Sequence, residues 1–204
     1  MDKLRFVLVK KELIRQKVSL FTLRDFTRIF KIDPKTARTF LSYNTKHGNF
    51  KRVKRGVYAV PDNQPTKYEI ANYLWKPSYI SFETALSYHG IIPETVYAIT
   101  SATTNKNVRE INLENQIYEY HKIKKGLFFG YQPIKIRDKV VLIADKEKAF
   151  LDYLYLLSLK NGQLNERIDL SKIDKQKVGV YVAYFMRFIR KDGALIRLLK
   201  ETNL

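Results

Sequence analysis

The sequence predicts an α+β fold: an N-terminal winged helix-turn-helix domain followed by a mixed α/β domain. Three observations carry that expectation. A capped helix with a basic, carboxylate-free face stops at Gly48 and runs into a basic hairpin, "FKRVKRGVYAV". The stretch "VPDNQPT" (Val60 to Thr66) has two Pro, an Asp and an Asn, no apolar periodicity, and reads as a linker. Beyond it, helical and strand-like patterns interleave.

The elements follow in order. A first helix is expected over Lys3 to Arg15. Thr22 is a fitting N-cap for a second, "LRDFTRIF", whose Leu23, Phe26, Ile29 and Phe30 share one face. After the turn "KID", Asp33 caps a third helix and Pro34 occupies its first position, where a missing N–H costs nothing. Gly48 suits its C-terminal cap. "FKRV" and "VYAV" then flank "KRG", with Gly56 free to take a positive φ. The second half opens with "TKYEIANYLW", where Thr66 and Glu69 have capping-box spacing. The helix "SFETALSYHG" stops at Gly90. Strands are expected at Val96–Thr103, Gln116–Ile123 and Lys139–Ile143. Asp145 caps a long helix, "KEKAFLDYLYLLSLK", and two more helices close the chain, over about Lys175–Arg190 and Asp192–Thr202. The domains are therefore expected at residues 1–61 and 66–204.

Composition narrows the function classes. The chain has 204 residues, 45% of them hydrophobic, with fourteen Tyr and twelve Phe, which is ample for packed cores. It has no Cys, which excludes disulfides and thiol nucleophiles. The three His (His47, His89, His121) lie far apart, and no pair has metal-ligand spacing. No apolar run approaches the roughly 18 residues a membrane span needs, so a cytoplasmic protein is expected. The net charge of +18 attracts polyanions. Its distribution is uneven: residues 1–64 hold sixteen Lys and Arg against five Asp and Glu, and the remainder is milder.

That excess converges on the third helix. At about 100° per residue, Ala37, Phe40, Leu41 and Asn44 share one side. Lys35, Thr36, Arg38, Thr39, Ser42, Tyr43 and Lys46 are left for contact, a set of cations, hydroxyls and one aromatic. The hairpin adds Lys51, Arg52, Lys54 and Arg55. A recognition helix followed by a basic wing serves duplex DNA: phosphate neutralisation supplies affinity and a few side chains read bases. Arg38 is the first choice for a guanine edge, Thr36 and Ser42 for phosphates.

These features, with "YISFETALSYHGIIPETVYAIT" (Tyr79 to Thr100) and "IADKEKAFLDYLYL" (Ile143 to Leu156), resemble the AbiEi-type antitoxins of type IV toxin–antitoxin systems, also described as transcriptional regulators. The resemblance implies a DNA-binding domain that represses its own operon through inverted repeats, and a C-terminal domain that counters a nucleotidyltransferase-like toxin in abortive infection. It leaves open whether the two proteins touch. One winged helix covers a short site, so two copies are expected on each operator repeat. No long apolar heptad preforms a dimer, so a monomer is expected in solution.

Read on their own residues, the inner blocks are structural. His89 is expected as a satisfied packing residue. Asp152 lies in the apolar run "AFLDYLYLL" and needs a partner if buried, with Lys148 one turn earlier as the candidate. No catalytic residue, metal or cofactor is expected. The acidic-x-Lys triplet Asp33-Pro34-Lys35 is a helix start, no Gly-Ser turn precedes an acidic pair, and no P-loop occurs. Two rival readings stay open. One is an RNA-binding module using Tyr43 and Tyr58 for stacking; the other is a metal-dependent nuclease targeted by the winged helix.

Overall fold

A computed structural model describes residues 4–106, 109–189 and 193–202, the side chain of Arg109 excepted. The expected helix ends at Lys3, Arg190 and Asp192 lie outside the described residues. The chain divides into two compact units. One comprises Met1–Leu74 with Lys135–Val140; the other comprises Trp75–Ile134 with Val141–Leu204.

The first unit runs α1 (Phe6–Arg15), β1 (Leu20–Thr22), α2 (Leu23–Phe30), α3 (Pro34–Lys46), β2 (Lys51–Lys54), β3 (Val57–Ala59) and α4 (Lys67–Leu74). The winged-helix pattern is present, with β3 central in an antiparallel sheet of order β1-β3-β2. The strand β1 escapes sequence reading because three residues are too few to display a period of two. It nevertheless supplies the centre of the core. Phe21 is fully buried, 5.6 Å from the Phe26 ring and 5.3 Å from Phe50. Val9, Leu13, Ala37, Leu41 and Val60 close around them, and Leu23, Ile29 and Phe30 pack from the expected face of α2. Burying one such Phe contributes about 1.5–3 kcal/mol.

The first unit runs past the Pro61–Pro65 stretch to Leu74. Glu69 holds α4 in place: its amide donates to Thr66 Oγ1 at 3.1 Å, while its carboxylate accepts from Ser19 Oγ beside β1. Burial pushes this carboxyl upward from its ordinary pKa.

The second unit is built on a six-stranded mixed sheet. Its strands are β4 (Ser78–Ile80), β5 (Ala98–Thr103), β6 (Arg109–Leu113), β7 (Gln116–Lys122), β8 (Tyr131–Ile136) and β9 (Lys139–Ala144), in the order β6-β7-β5-β4-β9-β8. The turn between β8 and β9 groups with the first unit. The three expected strands are β5, β7 and β9. Of the unexpected ones, β6 and β8 are the two edges, where exposure weakens the apolar signal; Pro133 in β8 is tolerated at an edge. The helices are α5 (Phe82–Tyr88), α6 (Lys146–Lys160), α7 (Lys175–Phe188) and α8 (Gly193–Glu201).

Candidate nucleic-acid interface

The turn between α2 and α3 sets the direction of α3. Thr22 and Asp25 form a reciprocal capping box at the start of α2. Lys31 ends that helix in the left-handed conformation, φ 50°, with its amide donating to the Thr27 carbonyl. Two residues later Asp33 accepts from the amides of Lys35 and Thr36, both at 2.9 Å. The Thr36 hydroxyl and amide hold the Asp33 carboxyl below its usual pKa, so it stays ionised at the positive end of the helix.

Lys35, Thr36, Arg38, Thr39, Ser42, Tyr43 and Lys46 are all exposed, whereas Ala37, Leu41 and Asn44 are buried and Phe40 is half-buried. Thr39 Oγ1 donates back to the Lys35 carbonyl at 3.1 Å. Tyr43 is 61% exposed, and its ring lies 4.1 Å from that of His47. Asn44 explains a polar residue on the inner face. Its amide donates to the Phe40 carbonyl, its side-chain oxygen accepts from Asn49, and its backbone carbonyl accepts from the amides of Asn49 and Phe50. The helix end and the start of the wing are thereby fixed to each other.

In the wing, Gly56 takes φ 81° at the turn, and the ladder slips between Arg52 and Lys54. Val53, Val57 and Ala59 point inward; Lys51, Arg52 and Arg55 are exposed. Lys54 is placed differently. It is half-buried and its ammonium donates to the Leu74 carbonyl. A second row of cations was not expected from the sequence. Arg24 and Arg28 of α2 and Lys31 at its C-cap line a hollow of about 620 Å³ with Asp25, Thr27, Ile32 and Pro34. Their i, i+4, i+7 spacing was the available signal. A side chain of Arg28 lies 3.4 Å from Asp25.

The second unit holds a different polar cluster. Lys148 and Asp152 are both fully buried and ion-paired. Asp152 Oδ2 accepts from Tyr79 OH at 2.8 Å and Ser81 Oγ at 2.7 Å, and Lys148 Nζ donates to Tyr79 OH at 2.8 Å. The ammonium also lies 5.1–5.3 Å from the rings of Tyr79, Phe129 and Phe185. Burial lowers the Lys148 pKa, opposed by Asp152, and burial drives the Tyr79 hydroxyl well above its ordinary value. With every group satisfied and no solvent access, this is a structural knot. His89 packs as expected, with Nε2 donating to the Ala144 carbonyl at 2.8 Å.

No described helix is long and apolar enough to cross a membrane, and no group of three metal-ligating side chains occurs among the described residues. No curated protein matches the chain. Residues 11–61, from within α1 to the end of the wing, match the family model described as transcriptional regulator, AbiEi antitoxin, which supports the resemblance drawn from the sequence over this segment.

Proposed function

We propose that the chain is a sequence-specific DNA-binding repressor and antitoxin that silences its own operon through inverted repeats and counteracts a nucleotidyltransferase-like toxin. The carboxylate-free, exposed face of α3 is the observation that carries the reading. Arg38 reads a base edge, Thr36, Ser42 and Tyr43 position the helix, and Lys35, Lys46, Lys51, Arg52 and Arg55 neutralise phosphates. Arg24, Arg28 and Lys31 extend the phosphate track along α2. Lys54, held by the Leu74 carbonyl, serves the fold of the wing instead. DNA reading falls to residues 1–61 and toxin counteraction to the part beyond residue 66. The protein acts in the cytoplasm, is a monomer in solution, and binds as two copies on each repeat.

The test is fluorescence anisotropy with a promoter inverted repeat and a random duplex at several salt concentrations. Affinity should be higher for the repeat, and log affinity should fall with log salt by nearly one unit per neutralised phosphate. Equal affinity for the two duplexes overturns the reading. For the division of labour, Lys35→Glu with Arg38→Glu should abolish repression and leave growth rescue intact when antitoxin and toxin are expressed from separate promoters.

A further inference from the structure

Within the second unit, one surface combines cations with exposed aromatic rings. Two segments build it, residues 120–134 ("YHKIKKGLFFGYQPI") and α7 ("KQKVGVYVAYFMRF"). Neither contains an Asp or Glu, in a chain that carries 20 of them in 204 residues. They meet at the end of α7. The Phe188 ring lies against the backbone of Gly126, where a methyl group would collide with it. Lys124 Nζ donates to the Phe188 carbonyl at 2.9 Å, and the Phe129 ring stands edge-on to Tyr184 at 4.6 Å. Tyr184 and Phe188 are thereby held 5.2 Å apart, 37% and 38% exposed, as a supported ledge of two rings. The Arg187 guanidinium lies 6.0 Å over the Tyr184 ring. Lys122, Lys124, Lys125 and Arg187 are exposed. Lys177 of the same helix is engaged elsewhere, by Asp145 and Glu147.

The chemistry of this surface separates its possible ligands. Exposed cations on segments that themselves carry no carboxylate suit a phosphate backbone. A duplex conceals the faces of its bases, so exposed rings add little there. A single strand offers each base face for stacking, and the guanidinium adds a cation–π contribution. We propose that the surface of α7 and residues 120–134 binds single-stranded nucleic acid, with the lysines on phosphates and Tyr184 and Phe188 stacking on bases. This site uses none of the α3 or wing residues and does not depend on how the wing reads DNA.

The experiment uses the full chain carrying Lys35→Glu and Arg38→Glu, which suppresses binding by the recognition helix. Labelled oligo(U), oligo(dT) and a duplex of about 12 nucleotides, within the span of a single-strand site, are titrated by anisotropy. Both single strands should bind more tightly than the duplex. Tyr184→Ala should weaken single-strand binding about tenfold, and Tyr184→Phe should retain it. Lys125→Glu with Arg187→Glu, both exposed, should weaken it at least as much with unchanged circular dichroism. Tightest binding to the duplex overturns the proposal, as does equal single-strand binding by the parent and the Lys125→Glu, Arg187→Glu variant. The proposal also fails if these substitutions disrupt only a complex with a co-purified protein.

Discussion

Helices α3 and α6 begin alike and use their charges in opposite ways. Each opens on an Asp that caps its first turn, Asp33 in one and Asp145 in the other. On α3 the cations Lys35, Arg38 and Lys46 stay in water, where an unpaired charge costs little. On α6 Lys148 and Asp152 are removed from water, and only their mutual pairing with Tyr79 and Ser81 makes that tolerable. The same residue type is thus available to a ligand in one helix and consumed by the fold in the other. Net charge alone does not locate a binding surface; solvation and pairing do.

The largest effect should come from breaking the buried pair. Lys148→Met leaves the Asp152 carboxylate without its cation in a dry site, and should cost about 3–5 kcal/mol in urea unfolding. Adding Asp152→Leu should recover part of that loss, because an unpaired buried charge is then absent. Lys35→Met, the same exchange on α3, should change stability by no more than about 0.5 kcal/mol while weakening DNA binding. A Lys148→Met protein as stable as the parent would erase the contrast.

A half-buried imidazole offers a second way to probe the α/β unit. His121 is 12% exposed, 5.1 Å from the Phe82 ring and 3.4 Å from Glu119. Burial, helped by Lys160, lowers its pKa from 6.5 to about 4. Between those values the unfolded chain takes up a proton that the folded chain refuses. The stability contribution is therefore full above pH 6.5 and is lost as pH falls toward 4, by up to about 3 kcal/mol. Denaturant midpoints at pH 7 and pH 5 measure it. His121→Gln should flatten that slope, and an unchanged slope would assign the acid sensitivity to other groups.

On the exposed side, Arg38→Ala should cost about 1–3 kcal/mol of binding and relax preference at one base pair. Its thermal midpoint should stay near the parent's. Arg55→Ala should weaken all duplexes alike and flatten the salt slope. Lys54→Ala should instead appear mainly as lost stability of the first unit, since its ammonium is bonded to the Leu74 carbonyl. A flattened salt slope for Lys54→Ala without destabilisation would return that residue to the DNA-facing set.

What was legible in the sequence follows the strength of local signals. The caps Thr22, Asp33 and Asp145 and the turn at Gly56 announced themselves, because each rests on one residue's own hydrogen bonding or φ. The exposed and buried sides of α3 could be assigned from the helical period of about 3.6 residues, which its 13 residues display several times over. Asp152 was recognisable as a residue in need of a partner, and Lys148 as that partner. Tyr79 and Ser81 were not, since nothing local links residues more than 70 positions apart. Strand β4 brings them there: it lies beside β9, with Ile80 opposite Ile143, and leads both hydroxyls to α6. The fate of Lys54 was equally hidden, because its acceptor lies twenty residues away in an element that looked like the start of the other domain.

The smallest predicted effect concerns how α3 is aimed. Thr22 ends β1 and caps α2, so it joins the wing's sheet to the helix-turn-helix. Asp25 Oδ2 accepts from the Thr22 amide at 2.9 Å and hydroxyl at 2.7 Å, while Thr22 Oγ1 accepts from the Asp25 amide at 3.2 Å. Thr22→Ala removes the hydroxyl from both sides of that exchange and should cost about 1 kcal/mol. Thr22→Ser, which keeps the oxygen, should cost less. Because α2 precedes the turn that sets α3, the lost cap should also lower operator affinity through the folded fraction, uniformly across sequences and without changing the salt slope. Arg38→Ala behaves in the reverse way, with specificity lost and stability kept. If Thr22→Ala altered base preference while stability held, α2 would be reading the operator directly, and the separation of framework from reading face within the first unit would fail.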